Sequence, residues 1–294
     1  MSVTKSEVAV AGGSLAVHRW GQSDGPVVVL VHGITGNSHA WQPVARALDG
    51  EATLLAVDLR GRADSRELPG PYGLDAHVGD LLALLDAHGL DQAVFAGHSL
   101  GAYIVARLGA QHPERVQALV LVDGGLRVPG SQTDDPQAFL DAFLGVTLAR
   151  LALRFASPEE YFAWWRAHPA FASGTVAEAD LQAYASHDLV GSPPELRSAV
   201  AEEAVRADGA DVILGPDDAV RLSVPATHLC APFGLQGEPN PMQPLELVRG
   251  WAAGGPELRQ AIQVPDVNHY TIVMSDPGAS AVAGAVRDRL AVRS

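Results

Sequence analysis

A serine framed by glycines is the residue of this sequence whose surroundings point most directly to chemistry. It lies in Gly97-His98-Ser99-Leu100-Gly101, after a short apolar run and before a helical pattern. A serine on such a strand–turn–helix is typical of a nucleophile, because the sharp turn raises its hydroxyl above the carboxyl end of a sheet. The two glycines fit this interpretation, since side chains there would collide with the turn.

The groups that would activate this serine lie far from it in the sequence. A serine hydroxyl is a poor nucleophile until a base takes its proton, and His269, in the loop after the strand pattern 261–264, is the candidate base. A carboxylate must then hold the imidazole. We favour Asp123, at the end of an apolar run, with Glu238 as the alternative and Asp266 as a third candidate.

Alternating strand and helix patterns would position these groups. Continuous apolar runs predict buried parallel strands, and helical patterns separate them. The predicted strands are 8–10, 15–18, 27–31, 53–57, 93–96, 116–122, 226–230 and 261–264, and the predicted helices are 38–48, 74–88, 102–111 and 278–290.

The pattern changes after Leu126, where helix starts appear without convincing buried strands. Ser157 can cap a helix that Pro158 opens, with Glu160 completing a capping box. Pro193-Pro194 predicts another helix start. The predicted domains are therefore a sheet core over 1–126 and 223–294, interrupted by a helical cap over 127–222.

Taken together, these motifs resemble the α/β-hydrolase superfamily. The matching segments are His32-Gly33-Ile34, Asp58-Leu59-Arg60-Gly61, the Ser99 pentapeptide, Val120-Leu121-Val122-Asp123 and Asn268-His269. The resemblance implies an α/β fold with a mostly parallel central sheet, helices on both faces and an inserted helical cap. It also implies that the backbone N–H groups of Ile34 and Leu100 bind an oxyanion, with Gly33 beside the substrate.

The sequence departs from the superfamily's usual position for the acid. That position falls near Gly234, which has no carboxylate, whereas Asp123 matches the place where haloalkane dehalogenases carry their acid. Epoxide hydrolases and dehalogenases of this fold require aspartate where this chain has Ser99. The resemblance therefore favours acyl-transfer chemistry over those two reactions.

The amino-acid composition limits which classes of partner the protein could bind and where in the cell it is expected. The 294 residues carry a net charge of −14, which disfavours nucleic acid and anionic membrane surfaces. Neither a signal segment nor a membrane-length apolar run is recognisable, so we expect a cytoplasmic protein. Histidine spacing typical of metal ligands is missing, and we expect neither metal nor cofactor. The oligomeric state stays open, with a homodimer as one alternative.

The sequence thus predicts a serine hydrolase that cleaves a carboxylic ester, lactone or thioester of a small apolar substrate through an acyl-enzyme. Trp164, Trp165 and Tyr270 are the expected apolar wall of the substrate site. Two alternatives stay open. The same residues could perform C–C hydrolysis, lyase or perhydrolase chemistry, or the chain could be a ligand-binding relative without activity.

Overall fold

A mostly parallel sheet forms the centre of the molecule. The computed structural model describes residues 3–21, 25–48, 50–255 and 258–291. The strands in these ranges are β1 (Val3–Val10), β2 (Gly13–Trp20), β3 (Val27–Val31), β4 (Thr53–Val57), β5 (Ala93–His98), β6 (Val116–Val122), β7 (Leu189–Val190), β8 (Arg197–Ser198), β9 (Ala226–Cys230) and β10 (Arg259–Gln263). The central sheet has the order β1-β2-β4-β3-β5-β6-β9-β10. Strand β2 is antiparallel to both of its neighbours, β1 and β4, and all the other neighbouring strands are parallel.

Helices cover both faces of this sheet. They are α1 (Gln42–Ala47), α2 (Leu74–Ala87), α3 (Leu100–Gln111), α4 (Pro136–Leu151), α5 (Pro158–Ala167), α6 (Glu178–Asp188), α7 (Glu202–Leu214), α8 (Leu245–Ala253), α9 (Thr271–Met274) and α10 (Asp276–Ala291). Within the described ranges, none of them is long and apolar enough to cross a membrane.

The central strands β3 to β6 are largely apolar because both of their faces are buried. Along β3, Val28 and Leu30 join a core with α1 and α10. Val29 and Val31 point the other way, into a core with α2, α3 and α8. Successive side chains of a strand alternate between faces, so a strand covered by helices on both faces needs no polar residues. The fold class predicted from the sequence is confirmed.

The segment between β6 and β9 carries α4 to α7. Part of it is tied to the sheet core by the ion pair of Arg46 on α1 with Asp180 on α6, at 2.6 Å. Contrary to expectation, Pro193-Pro194 opens no helix. Leu196 instead pairs with Phe155 through two backbone hydrogen bonds, and β7 and β8 form a small antiparallel ladder. Pro193 itself precedes a proline, and helical backbone angles are disfavoured at such a residue, which accounts for the missing helix start at Pro193.

Candidate active site

Ser99 lies on a strained turn between β5 and α3. Its φ of 54° and ψ of −120° place a non-glycine residue in the left-handed half of backbone space, directly before the first residue of α3. A Cβ on Gly97 would lie 2.2 Å from the Gly101 carbonyl oxygen, and one on Gly101 would lie 2.1 Å from that of Val31. Both glycines are thus required by backbone packing, as the motif predicted.

Two further glycines bring neighbouring loops against the serine. A Cβ on Gly124, after β6, would lie 2.5 Å from the Ser99 carbonyl oxygen. One on Gly33, after β3, would lie 3.1 Å from the Ser99 Cβ. The loops that follow the two strands flanking β5 therefore converge on Ser99. The approach of Gly124 permits only glycine, and a Cβ at Gly33 would be crowded.

His269 and Asp123 form a buried pair at the same end of the sheet. The His269 Nδ1 lies 2.7 Å from the Asp123 Oδ2, and the two residues are 3% and 1% exposed. The second carboxylate oxygen accepts a hydrogen bond from the Ala231 N–H at 3.1 Å. A carboxylate on Nδ1 favours the tautomer that leaves Nε2 with its lone pair free, which is the arrangement a general base needs.

The alternative acids do not reach His269. The Glu238 carboxylate accepts from the Gln236 N–H at 2.7 Å and lies so close over Gly234 that a Cβ there would be 2.1 Å away. Asp266 is exposed and lies in a turn with a φ of 56°. Of the three carboxylates considered from the sequence, the structure brings Asp123 to the histidine.

The loop after β3 packs against the serine. Its histidine, His32, uses both ring nitrogens: Nε2 accepts from the Leu59 N–H, in the loop after β4, at 3.0 Å, and Nδ1 lies 2.7 Å from the Gly33 carbonyl oxygen of its own loop. Burial lowers the pKa of His32 to about 4, so it stays neutral at pH 7. Among the described residues, the Ile34 N–H has no acceptor. Leu100, as the first residue of α3, has no acceptor for its N–H within that helix.

Arg62 holds this loop, a role that the sequence analysis missed. Its Nε donates to the Ile34 carbonyl oxygen at 3.0 Å, and its Nη2 pairs with Asp208 of α7 at 2.7 Å. Both side chains are fully buried. The hydrogen bond fixes the peptide plane on one side of Ile34. Arg62 directly follows Asp58-Leu59-Arg60-Gly61, one of the segments that resemble the superfamily, so its position could have suggested a role. Asp208 lies within α7, and no neighbouring motif marks it as functional.

His98, the residue before Ser99, contacts the loop that carries His269. Its Nε2–H donates to the His269 carbonyl oxygen at 2.7 Å, and the two rings are 4.8 Å apart. Burial, together with the nearby His269 ring, holds the pKa of His98 well below its usual range. A neutral His98 therefore helps to position the loop that carries His269.

A largely apolar cavity lies between the sheet and the helical segment. Ser99, His269, Asp123 and residues of the loop after β3 line it together with apolar side chains. These lining residues include Gly33, Ile34, Leu100, Val128, Phe143, Leu144, Tyr184, Val212, Leu235, Met242, Tyr270, Val273 and Met274. Gly33 and Tyr270 thus lie where the sequence analysis expected substrate contacts.

Trp164 and Trp165 do not line this cavity, which corrects the expectation for both. Trp165 is fully buried and packs edge-on against Tyr184 and Tyr270, at ring distances of 5.2 and 6.3 Å. Trp164 lies behind it, 5.1 Å away. The tryptophans form a layer behind the tyrosines that face the cavity, because consecutive aromatic residues of one helix cannot all reach the same wall.

Comparison with known proteins supports the resemblance on which the sequence analysis rests. The family described as the alpha/beta hydrolase fold matches residues 26–158. LipV of Mycobacterium tuberculosis, named as a lipase, is 37% identical over 118 residues, which are 40% of this chain and 44% of LipV. RutD of Caulobacter segnis, named as a carbamate hydrolase, is 36% identical over 113 residues, 38% of this chain and 42% of that protein. The chain thus matches less than half the length of these curated relatives.

The likeness extends over the whole chain at the level of the fold. The crystal structure of E-2-(acetamidomethylene)succinate hydrolase superposes with a TM-score of 0.79, covering 98% of this chain and 99% of that one at 19% identity. At such identity the similarity establishes the fold alone. The order of its strands, the match over residues 26–158 and this superposition have one common explanation: the chain has the α/β-hydrolase fold.

Proposed function

We propose that the protein is a serine hydrolase that cleaves a carboxylic ester, lactone or thioester of a small apolar substrate. The observation that carries the proposal is the convergence of a strained Ser99 and the buried His269–Asp123 pair on one apolar cavity. The names of LipV and RutD, a lipase and a carbamate hydrolase, are in line with acyl transfer.

The proposed reaction begins with attack of the Ser99 Oγ on the substrate carbonyl carbon. His269 Nε2 takes the hydroxyl proton, while Asp123 holds Nδ1–H and stabilises the imidazolium. The carbonyl π electrons move to oxygen, and the backbone N–H groups of Ile34 and Leu100 bind that oxyanion. Each donor of this kind is typically worth about 3–4 kcal/mol in the transition state.

Collapse of the tetrahedral intermediate expels the alkoxide or thiolate, which receives the proton from His269. Water then attacks the Ser99 acyl ester while His269 takes its proton, and His269 returns that proton to the Ser99 oxygen as the carboxylic acid leaves. The positive end of α3 points at the developing charge, because Ser99 directly precedes its first turn.

The cavity wall favours an uncharged acyl group. Among the described residues that line it, neither lysine nor arginine occurs, and Asp123 is already engaged by His269. Apolar side chains from α4 and α7 and the rings of Tyr184 and Tyr270 complete the wall. Burial of apolar surface would supply about 25 cal/mol per Å² of the substrate's contact. A charged substrate would find no counter-ion here.

Intact-mass analysis after treatment with a fluorophosphonate tests the proposal. One adduct on the unmodified protein and none on S99A are expected, together with turnover of short-chain aryl esters that S99A lacks. A matched control is Ser173→Ala, an exposed serine on the helical segment. Absence of labelling and of ester turnover in a folded protein would support a ligand-binding protein instead. Labelling without ester turnover would point to carbamate, C–C or other triad chemistry.

A further inference from the structure

A cluster of histidines and aspartates lies outside the cavity, where the proposed reaction does not use it. His18 comes from β2, Asp58 follows β4, Asp64 lies in the 3₁₀ turn Ala63–Ser65 and His187 is on α6. One ligand atom from each of these four residues lies within 4.8 Å of all the others. Four separate elements thus bring two imidazoles and two carboxylates to one point.

Two distances within the cluster, both from His18, match those between the ligands of a tetrahedral metal ion. Zinc binds histidine nitrogen and carboxylate oxygen at about 2.0–2.2 Å, which sets the ligands of a tetrahedron about 3.3–3.5 Å apart. The His18 Nε2 lies 3.2 Å from the Asp58 Oδ2 and 3.4 Å from the Asp64 Oδ2. The His187 Nε2 lies 2.7 Å from the Asp58 Oδ2, a hydrogen-bond distance that must lengthen by about half an ångström when a metal replaces the proton.

The hydrogen-bonding state of His18 adds an independent observation. This residue is 5% exposed, and its Nε2 makes no hydrogen bond of good geometry with the described residues, although two carboxylates are within 3.4 Å. A buried ring nitrogen usually has a partner. A nitrogen aimed between two carboxylate oxygens, without a well-directed hydrogen bond to either, is positioned as a metal ligand would be.

The charge of the cluster and the hydrogen bonds around it also fit a divalent ion. Two carboxylates balance a charge of +2, which a buried site requires. Asp58 also accepts a hydrogen bond from the Ser38 N–H at 2.8 Å, and hydrogen bonds of this kind hold the ligands of metal sites in place. The ring of His39 stacks on that of His187 at 4.1 Å, with an angle of 5° between the planes, and holds its orientation.

We propose that His18, Asp58, Asp64 and His187 bind a divalent transition-metal ion, with zinc as the best match, that links α6 to the sheet. Four protein ligands leave no open position, so the ion would stabilise the structure and take no part in the reaction. Lys5, whose Nζ lies 3.0 Å from the Asp64 Oδ2, would give way, because its side chain is 44% exposed. The expectation of no metal rested on local histidine spacing, which cannot reveal ligands from four distant segments.

The test is titration of the chelator-treated full-length chain with zinc by calorimetry, alongside thermal unfolding. We expect one ion per chain, a higher Tm with zinc, and the intense visible absorption of tetrahedral cobalt(II) when cobalt is used. H18Q and D64N should each weaken zinc binding at least about tenfold, since even loss of an outer-shell contact has an effect of that size.

His112→Gln is the matched control, because His112 is 38% exposed at a distant turn and is not one of the grouped ligands. Asp64 is 29% exposed, so D64N is expected to fold even if H18Q does not. Absence of stoichiometric zinc binding at micromolar concentration would overturn the proposal. Binding that H112Q weakens as much as H18Q and D64N would also overturn it, as adventitious histidine binding.

Discussion

Replacement of Asp123 by asparagine separates the candidate acids most directly. The Asp123 carboxylate now accepts two hydrogen bonds, from His269 Nδ1–H at 2.7 Å and from the Ala231 N–H at 3.1 Å. Asparagine has one oxygen and one NH₂ group in the same space, so it can satisfy only one of these donors. The orientation of its amide decides what happens to the histidine.

Energetics favours the orientation that disables the base. If the amide oxygen faced His269, the NH₂ group would oppose the Ala231 N–H, and two buried donors without an acceptor cost about 1–3 kcal/mol. If the oxygen faces Ala231, the NH₂ group donates to His269 Nδ1, whose proton then moves to Nε2. That tautomer cannot accept the serine proton. We expect kcat to fall about 10⁴-fold, as for loss of the acid in serine protease triads, which corresponds to about 5.4 kcal/mol.

The assay is aryl-ester turnover together with the rate of fluorophosphonate labelling, compared with E238Q. Glu238 contacts the backbone of its own loop, so E238Q should change either rate by less than about threefold. Circular dichroism and thermal unfolding establish that both variants are folded. A D123N enzyme within tenfold of the unmodified rate, beside a disabled E238Q, would refute the assignment of the acid.

Three further predictions concern stability and the support of the site. A Cβ on Gly101 would lie 2.1 Å from a carbonyl oxygen, so G101A should lower the free energy of unfolding, measured in urea, by at least about 3 kcal/mol. Gly79 in α2 has open space beside it, so the control G79A should raise the free energy of unfolding by about 0.5–1 kcal/mol. Burial lowers the pKa of His228 from 6.5 to about 4, so the unfolded chain takes up the proton first as the pH falls. The free energy of unfolding should therefore decrease between pH 6.5 and 4 by up to about 1.4 kcal/mol per pH unit, and urea unfolding of H228Q should show a smaller slope. D208N removes the negative charge that pairs with the buried Arg62 guanidinium, although the hydrogen bonds of Arg62 to the Ile34 and Arg60 carbonyl oxygens remain. We therefore expect a loss of about 3–5 kcal/mol in the free energy of unfolding and slower fluorophosphonate labelling. Unchanged labelling would show that Asp208 does not support the loop after β3 through Arg62.

Local sequence patterns predicted the central strands well, because a strand that is buried on both faces appears in the sequence as a continuous apolar run. The bounds of β3, β4 and β6 agree with the apolar runs 27–31, 53–57 and 116–122. The predicted cap of α5 is also present, since the Ser157 side chain accepts from the Glu160 N–H at 3.2 Å. Such features depend on neighbours in the sequence, which is why periodicity and capping residues reveal them.

Contacts between distant segments could not be predicted in the same way. Sequence position alone left Asp123 and Glu238 both open as partners of His269, and the distinction rests on the geometry of three separate loops. The tryptophans of α5 were expected at the substrate because aromatic residues suit an apolar pocket, but helix rotation decides which ring faces the cavity. That rotation follows from packing against Tyr184 and Tyr270, which no local pattern encodes.

The helical segment does more than close the cavity, because it also holds the loop that would bind the oxyanion. Asp208 of α7 fixes Arg62, which fixes the Ile34 carbonyl, while Asn37 at the other end of the loop donates to the Tyr184 carbonyl of α6 at 3.0 Å. Displacement of α6 or α7 would therefore move the Ile34 N–H as well as the cavity wall. A shift of the donor of even a few tenths of an ångström weakens a hydrogen bond that acts only in the transition state. Substitutions that loosen these helices should consequently lower kcat along with substrate affinity, even where they touch no substrate.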